Sequence, residues 1–386
     1  MTATDRKILR PLYIWAFVES LIFFYAIEKL FWTHVGITPQ QIIFLGILAQ
    51  AGQVVFEVPT SILADRWSRR KTLIASSGTM LLCVGVILLW QNYFSFIVMN
   101  VLWALYFSLQ SGTLSAYVFD LLKSHDRHAV YRQAMSRLNT MQLSALLVSS
   151  LLAVSLANFG GYLFTYSLTF LSASLALYLL WRMPEPAMVR QTASWRGHVR
   201  SALNELLQTR WMMLLGFLLA CITAARFIWY EYYQLFAILR DVPAEWFGVM
   251  LGLIFVGNIA GAEFSHRSGN GRMVLAVGLF VLLPSAAALI FANQAWLVLG
   301  LLGLVFAGAH ATYIVFEENI QHRLSSALRA TTLSLLGLFS RLIFGVVAVL
   351  LVLWPTAHMV SLVSVVLSAL CVLYVPVRRH ILRKIA

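Results

Sequence analysis

The stretch "VVFEVPTSILADRWSRRKTL", Val54 to Leu73, decides how the rest of the chain is read. It begins inside an apolar run that carries one acid, Glu57. It then places Asp65, Arg66, Arg69, Arg70 and Lys71 within seven residues and turns apolar again. The whole chain of 386 residues is 60% hydrophobic and only 11% charged, whereas a soluble domain of average composition is about 25% charged. So little polar surface cannot cover a water-facing globule, and the solvent for most of the chain is lipid. The charge cluster after Glu57 is then the end of a membrane span.

Working outward, twelve runs reach the length of about 20 apolar residues that a spanning helix needs. They fall at 11–33, 41–63, 72–91, 94–119, 137–158, 162–182, 211–238, 246–265, 273–292, 295–318, 331–353 and 357–377. None alternates as a strand does, and lipid admits only helices or closed barrels. The expected fold is an all-α integral membrane protein with 12 transmembrane helices. The first run is too long for a signal peptide and lacks a small-residue cleavage site, so it is expected to remain as span one.

A net charge of +13 would suggest nucleic acid as the partner of a soluble protein. Here the bases sit in short clusters between apolar runs, so no nucleic acid is expected. All but four of the 28 Lys and Arg residues lie at the N-terminus, in every second loop and at the C-terminus. The exceptions, Lys29, Arg226, Arg240 and Arg341, lie within spans or at their outer ends, and the outer loops "NQAW", "WPTAH" and "NFGG" carry none. This asymmetry predicts that both termini are cytoplasmic. Cys83, Cys221 and Cys371 have apolar neighbours and no metal-site spacing, so they read as packing residues and neither metal nor cofactor is expected.

The longest polar stretch separates spans six and seven. It divides the chain into a six-span half at 1–183, a linker at 184–210 and a second half at 211–386. Within the linker, "VRSALNELLQ" puts Val199, Ala202, Leu203 and Leu206 on one face of a helix expected to lie on the inner membrane surface. The halves echo each other. "AYVFD" ends span four at Asp120 and "YIVFE" lies in span ten, each followed by an Arg opening the next span, Arg137 and Arg329.

On these residues the chain resembles the major facilitator superfamily over essentially its full length. The family's loop between spans two and three has Gly, three residues, Asp, a base, any residue, Gly, Arg and a base. Here both glycines are serine, Ser61 and Ser68, while Asp65, Arg66, Arg69 and Arg70 keep every charge. "EVPTSILADR", "SGTLSAYVFD" and "LRATTLSL" are similar to a bacterial efflux branch of the superfamily. Ser108 stands where many members carry Arg in span four, and span five lacks the Gly-Pro motif associated with antiporters. The resemblance implies two pseudo-symmetric six-helix bundles that rock about a central site near mid-membrane. It also implies a monomer in a bacterial inner membrane. Asp65 would cap the start of span eleven near Arg329 or Arg137, while Arg66, Arg69, Arg70 and Lys71 latch loops and lipid headgroups.

Ionisable groups at membrane depth are costly and default to functional positions. Glu19 stands about 12 Å and Glu28 about 25 Å from the inner surface at 1.5 Å per residue, on opposite faces of a straight span one. Glu57 is at a depth similar to Glu19. The two could share a proton, or Glu57 could bond Thr60 or a neighbouring span as part of the gate. In span seven, "AARFIWYEYYQLF" carries Arg226 and Glu231. Glu28 is expected to meet Arg226, or Lys29 to meet Glu231, as an outer gate, with headgroup snorkelling the alternative. Trp229, Tyr230, Tyr232, Tyr233 and Phe236 surround Glu231 and could hold a lipophilic or cationic solute or form an interfacial belt. His310 could relay protons or be structural. Arg341 is a lone cation in span eleven, and Asn100, Gln110 and Asn258 are weaker cavity residues.

The expected function is therefore secondary transport by alternating access: proton-coupled efflux of a small amphipathic or cationic organic molecule. Uptake of a metabolite or siderophore, and lipid flipping, are the alternatives within transport. A polytopic membrane enzyme is the alternative from another class. The one histidine–acid cluster, "KSHDRHAVYRQ", matches no metal spacing, and no phosphate-cradling loop is present, so ATP is not expected as the direct energy source.

Overall fold

A backbone in lipid has no water to bond, so each span must close its own hydrogen bonds. The computed structural model is accordingly helical, with no strand among the described residues. It describes residues 3–127, 130–186, 204, 206, 207, 209–324 and 329–374, without the side chains of 3–6, 58, 62, 65, 66, 132, 329–331 and 373. The expected linker helix around Val199, Ala202 and Leu203 lies outside the described residues.

The chain divides into two compact units, Met1–Thr38 with Leu45–Thr192, and Pro39–Phe44 with Ala193–Ala386. The first half runs α1 (Ala3–Glu19), α2 (Glu28–His34), α3 (Pro39–Arg66), α4 (Arg69–Leu89), α5 (Tyr93–Gln110), α6 (Thr113–Lys123), α7 (Tyr131–Gly160) and α8 (Tyr162–Arg182). The second runs α9 (Arg210–Ile238), α10 (Phe247–Ser268), α11 (Gly271–Phe291), α12 (Ala295–Gln321), α13 (Arg329–Leu353) and α14 (Ala357–Leu370). Among the described residues, ten stretches are long and apolar enough to cross a membrane, and α14 is a shorter apolar helix. With α1 and α2 read as two parts of span one, these are consistent with the twelve expected crossings. Large apolar side chains such as Phe159, Phe280 and Phe291 are more than three-quarters exposed, as lipid-facing positions must be.

Two expected spans are not continuous. Span four is cut at Ser111 and Gly112, where Gly112 takes φ +70°, a left-handed conformation that glycine adopts without a Cβ clash. Span one is cut between Glu19 and Tyr25, which corrects the straight helix expected over 11–33. The break releases backbone groups, and α8 supplies their partners. Thr169 Oγ1 accepts from the Phe23 amide at 3.0 Å, and Ser172 Oγ donates to the Leu21 carbonyl at 2.9 Å. Tyr166, on the same face of α8, stacks on Phe24 with ring centroids 4.2 Å apart. Leu12, Trp15, Leu73, Tyr117, Leu121, Leu138 and Leu180 form one buried cluster drawn from α1, α4, α6, α7 and α8.

In the second half, α12 packs against both α10 and α11 through small residues, the usual means of close helix approach in lipid. A Cβ built on Gly257 would lie 2.3 Å from the Gly303 carbonyl oxygen, and one on Gly261 2.3 Å from that of Ala307. Backbone atoms cannot swing aside, so Gly261→Val should force α10 and α12 apart and destabilise the protein by about 1–3 kcal/mol, seen as a lower melting temperature in detergent. Thr169→Val keeps the shape of the side chain but strands the Phe23 amide in an apolar layer. It should also lower the melting temperature, by about 1–3 kcal/mol of stability. Ser174→Ala, at a half-buried site where the hydroxyl donates to the Phe170 carbonyl of its own helix, should change nothing measurable.

Candidate functional site

The break in span one gives its two acids opposite surroundings. Glu19 is the last residue of α1 and is 2% exposed. Its Oε1 accepts from Ser77 Oγ of α4 at 3.1 Å and from Gln110 Nε2 of α5 at 3.3 Å. The Tyr106 hydroxyl, which accepts from Gln110 at 3.0 Å, lies beside the same carboxyl. Oε2 is buried without a hydrogen bond of ordinary geometry. Glu19 forms no ion pair among the described residues, so every group that touches its carboxyl is neutral. Glu28 opens α2 and is matched by a cation: Lys29 Nζ lies 3.0 Å from its Oε2 and 3.9 Å from the centroid of the Trp32 ring. Both residues of that pair are buried.

Glu57 meets a different part of span four. Its Oε1 accepts from Ser111 Oγ at 3.2 Å, at the break itself. The Thr60 hydroxyl instead donates to backbone oxygens, including that of Ser108 at 3.0 Å. The neighbouring-span alternative for Glu57 is thus the one realised, and no hydrogen bond joins Glu57 to Glu19 among the described residues.

At the start of α4, two adjacent arginines tie three spans together. Ser68 caps α4 by accepting from the Lys71 amide. Arg69 then pairs with Asp120 of α6 and donates to the Ala116 carbonyl at 2.9 Å. Arg70 donates to the Leu180 and Trp181 carbonyls at the end of α8, where a cation complements the negative end of the helix. Arg70 also stands 3.9 Å from Glu185. Asp120 therefore finds its base in Arg69, while Arg137 is exposed. The side chains of Asp65, Arg66 and Arg329 lie outside the described residues, and their expected roles stay expectations.

The second half holds a cluster of the opposite sign. Arg226 Nη2 of α9 donates to Asn258 Oδ1 of α10 at 3.2 Å. Asn258 Nδ2 donates to the Tyr230 hydroxyl and the Ile254 carbonyl, both at 2.7 Å. The guanidinium lies over the Tyr313 ring at 4.9 Å, and His310 stacks on that ring from α12. Arg226 Nε and His310 Nδ1 are buried without partners. Arg341 of α13 faces Phe227 at 5.5 Å. The aromatic residues near Glu231 are largely engaged in packing. Trp229 donates to Ser364 at 2.7 Å and meets Phe236 edge-on, Tyr232 stacks on Phe344, and Tyr233 is buried and accepts from Gln234. Glu231 itself is half-buried.

Sequence reasoning missed Ser77, Tyr106, Thr169 and Ser172. A hydroxyl in an apolar helix usually bonds its own backbone one turn back, and nothing in the local pattern separates these four from the rest.

Comparison with known proteins agrees with this architecture. A family model described as Major Facilitator Superfamily matches residues 12–349. By sequence, none of the curated proteins matches the chain. Among solved structures, the nucleoside transporter NupG is similar at a TM-score of 0.72 and 11% identity, over 95% of this chain and 96% of that one. PepTSo, a transporter of the POT family, gives 0.75 and 11% over 97% and 98%. A bacterial homologue of the human lysosomal transporter Spinster, inward-facing and occupied, gives 0.71 and 12% over 97% and 96%. At such identities the likeness concerns the fold alone. With the family model spanning most of the chain and these helical crossings in place, the chain belongs to the major facilitator superfamily and is a multi-pass membrane protein with the fold of its transporters.

Proposed function

We propose that the chain is a secondary active transporter that moves a small amphipathic organic molecule by alternating access and couples that movement to protons through Glu19. The observation that carries this reading is the neutral surroundings of a buried carboxyl at the end of a half-helix. The C-terminal end of a helix bears partial negative charge. A bare carboxylate there, with no cation against it, is doubly disfavoured, and a proton relieves both terms. Ser77, Gln110 and Tyr106 can each bond the carboxyl with or without its proton, because hydroxyls and amides both donate and accept. The group can load and unload a proton without an ion pair to break. Glu28 lacks this property, since Lys29 already neutralises it.

The protein would reside in a bacterial inner membrane with both termini cytoplasmic, which the placement of the bases supports. Export is the direction favoured by the likeness of "EVPTSILADR" and "SGTLSAYVFD" to the efflux branch. The cationic solute expected from the aromatic residues around Glu231 has less support, because Trp229, Tyr232 and Phe236 are committed to packing.

Vesicles containing the purified protein and an internal pH-reporting dye test the reading directly. Among nucleosides, short peptides, organic anions and hydrophobic cations added outside, at least one should move protons together with solute, without nucleotide. Glu19→Gln should suppress the proton movement by about 10²-fold or more, within the usual range for a lost proton-transferring group. Exchange of labelled for unlabelled solute should continue. Proton movement in Glu19→Gln equal to that of the parent would remove Glu19 from the mechanism.

A further inference from the structure

We infer that the Arg226 cluster of the second half is a receptor for an oxyanion, and that the transported molecule carries a carboxylate or phosphate group bound there. The inference rests on the reading of the chain as a transporter and names the charge class of its substrate.

Arg226 lies at membrane depth, where a lone charge is costly unless it faces a partner or a water-filled passage. Its contact with Asn258 is to a neutral acceptor, and its contact with Tyr313 is to a ring face. Neither cancels a positive charge. The acids of this half are otherwise placed: no ion pair joins Arg226 to Glu231 among the described residues, and Glu317 accepts from Gln321 at 3.1 Å. Asn258 is used on both sides of its amide, by Arg226 on one and by Tyr230 and Ile254 on the other. It therefore fixes the plane of the guanidinium but cannot satisfy it.

What remains is rich in donors and poor in acceptors. Arg226 Nε has no partner, and the Tyr230 hydroxyl accepts from Asn258 and so keeps its own proton to give; His310 Nδ1, a donor in one tautomer and an acceptor in the other, is also buried and unbonded. A guanidinium held in a fixed plane beside a hydroxyl matches the flat, two-oxygen edge of a carboxylate or phosphate. A cationic solute would meet the same charge with repulsion. Arg240, just beyond α9, also has an unpartnered Nε, but its two Nη groups donate to Asn293 and the Ile290 carbonyl.

Binding to the purified full-length protein in neutral detergent tests this with probes matched in shape: benzoate, phenyl phosphate and benzyltrimethylammonium. Thermal shift and tryptophan fluorescence are the readouts. At least one anion should bind the parent protein, and Arg226→Gln should weaken it by about tenfold or more, with Arg226→Lys retaining part of the affinity as a charge without the fork. The ammonium probe should bind no better than background. Should Arg226→Gln not fold, Asn258→Ala, which frees the guanidinium from its anchor, should weaken the same anion. Preference between benzoate and phenyl phosphate assigns the group. If phosphatidylglycerol added in mixed micelles competes with the bound anion, a lipid headgroup is its natural source. Absence of anion binding to the parent protein, or unchanged affinity in a folded Arg226→Gln, overturns the proposal. Anion binding without solute flux in vesicles would instead remove the transport reading and leave the receptor standing, while flux of cations alone would do the reverse.

Discussion

The constraint on which the rest depends is that a backbone group freed inside a lipid-immersed bundle must find a partner in protein. Span one breaks after Glu19, and the break is possible because α8 presents Tyr166, Thr169 and Ser172 on one face. Thr169 takes the Phe23 amide, Ser172 gives to the Leu21 carbonyl and Tyr166 covers Phe24. Remove these three and the Phe23 amide and Leu21 carbonyl lose the partners that α8 gives them, which favours a continued helix. A straight span one would turn Glu19 and Glu28 to opposite faces and give them similar, uninterrupted helix around them. The hydroxyls of α8 therefore determine the electrostatics of an acid on another helix.

That consequence runs through both halves. In the first, the break makes Glu19 a helix-terminal acid with neutral partners and leaves Glu28 at a helix start beside Lys29. In the second, α9 and α12 are continuous, and Arg226 is a base that forms no ion pair among the described residues. A stable membrane protein would pair or delete such charges, since each costs at least about 2.5–3.5 kcal/mol at mid-membrane. The pairs that serve only to hold the structure look different. Arg69 with Asp120, and Arg70 with the last carbonyls of α8, each meet an acid or the negative end of a helix.

Most of the fold was legible in the sequence because composition and charge placement respond to the solvent. The runs at 162–182, 211–238 and 273–292 fall on α8, α9 and α11 within two residues. The break in span four carried a local signal, Ser111-Gly112 within "SGTLSAYVFD", but the apolar run on either side concealed it. The break in span one carried none. "SLIFF", residues 20–24, contains neither glycine nor proline, and what interrupts it is a set of contacts with residues about 150 positions away, which no local pattern encodes. The site was legible to the same degree. Glu19 and Arg226 stand out in any hydropathy reading, whereas Ser77, Tyr106 and Gln110 acquire meaning only once α4 and α5 are laid against α1. Within the first half, the side chain next to Glu28 in sequence, Lys29, closes on it at 3.0 Å.

The difference between Asn258 and Gln110 shows how a neutral amide can serve two opposite charges. Gln110 turns its Nε2 toward the carboxyl of Glu19, while Asn258 turns its Oδ1 toward the guanidinium of Arg226. In each case the amide's Nε2 or Nδ2 group also donates to a tyrosine hydroxyl, Tyr106 for Gln110 and Tyr230 for Asn258. An amide orients a charge by a hydrogen bond without neutralising it, and a tyrosine beside it supplies a proton that can point either way. Had evolution placed Glu or Arg at these positions, each site would be a closed ion pair, stable and inert. Gln and Asn keep the charge aimed and unspent, which is what a site must do if its true counter-ion is to arrive and leave.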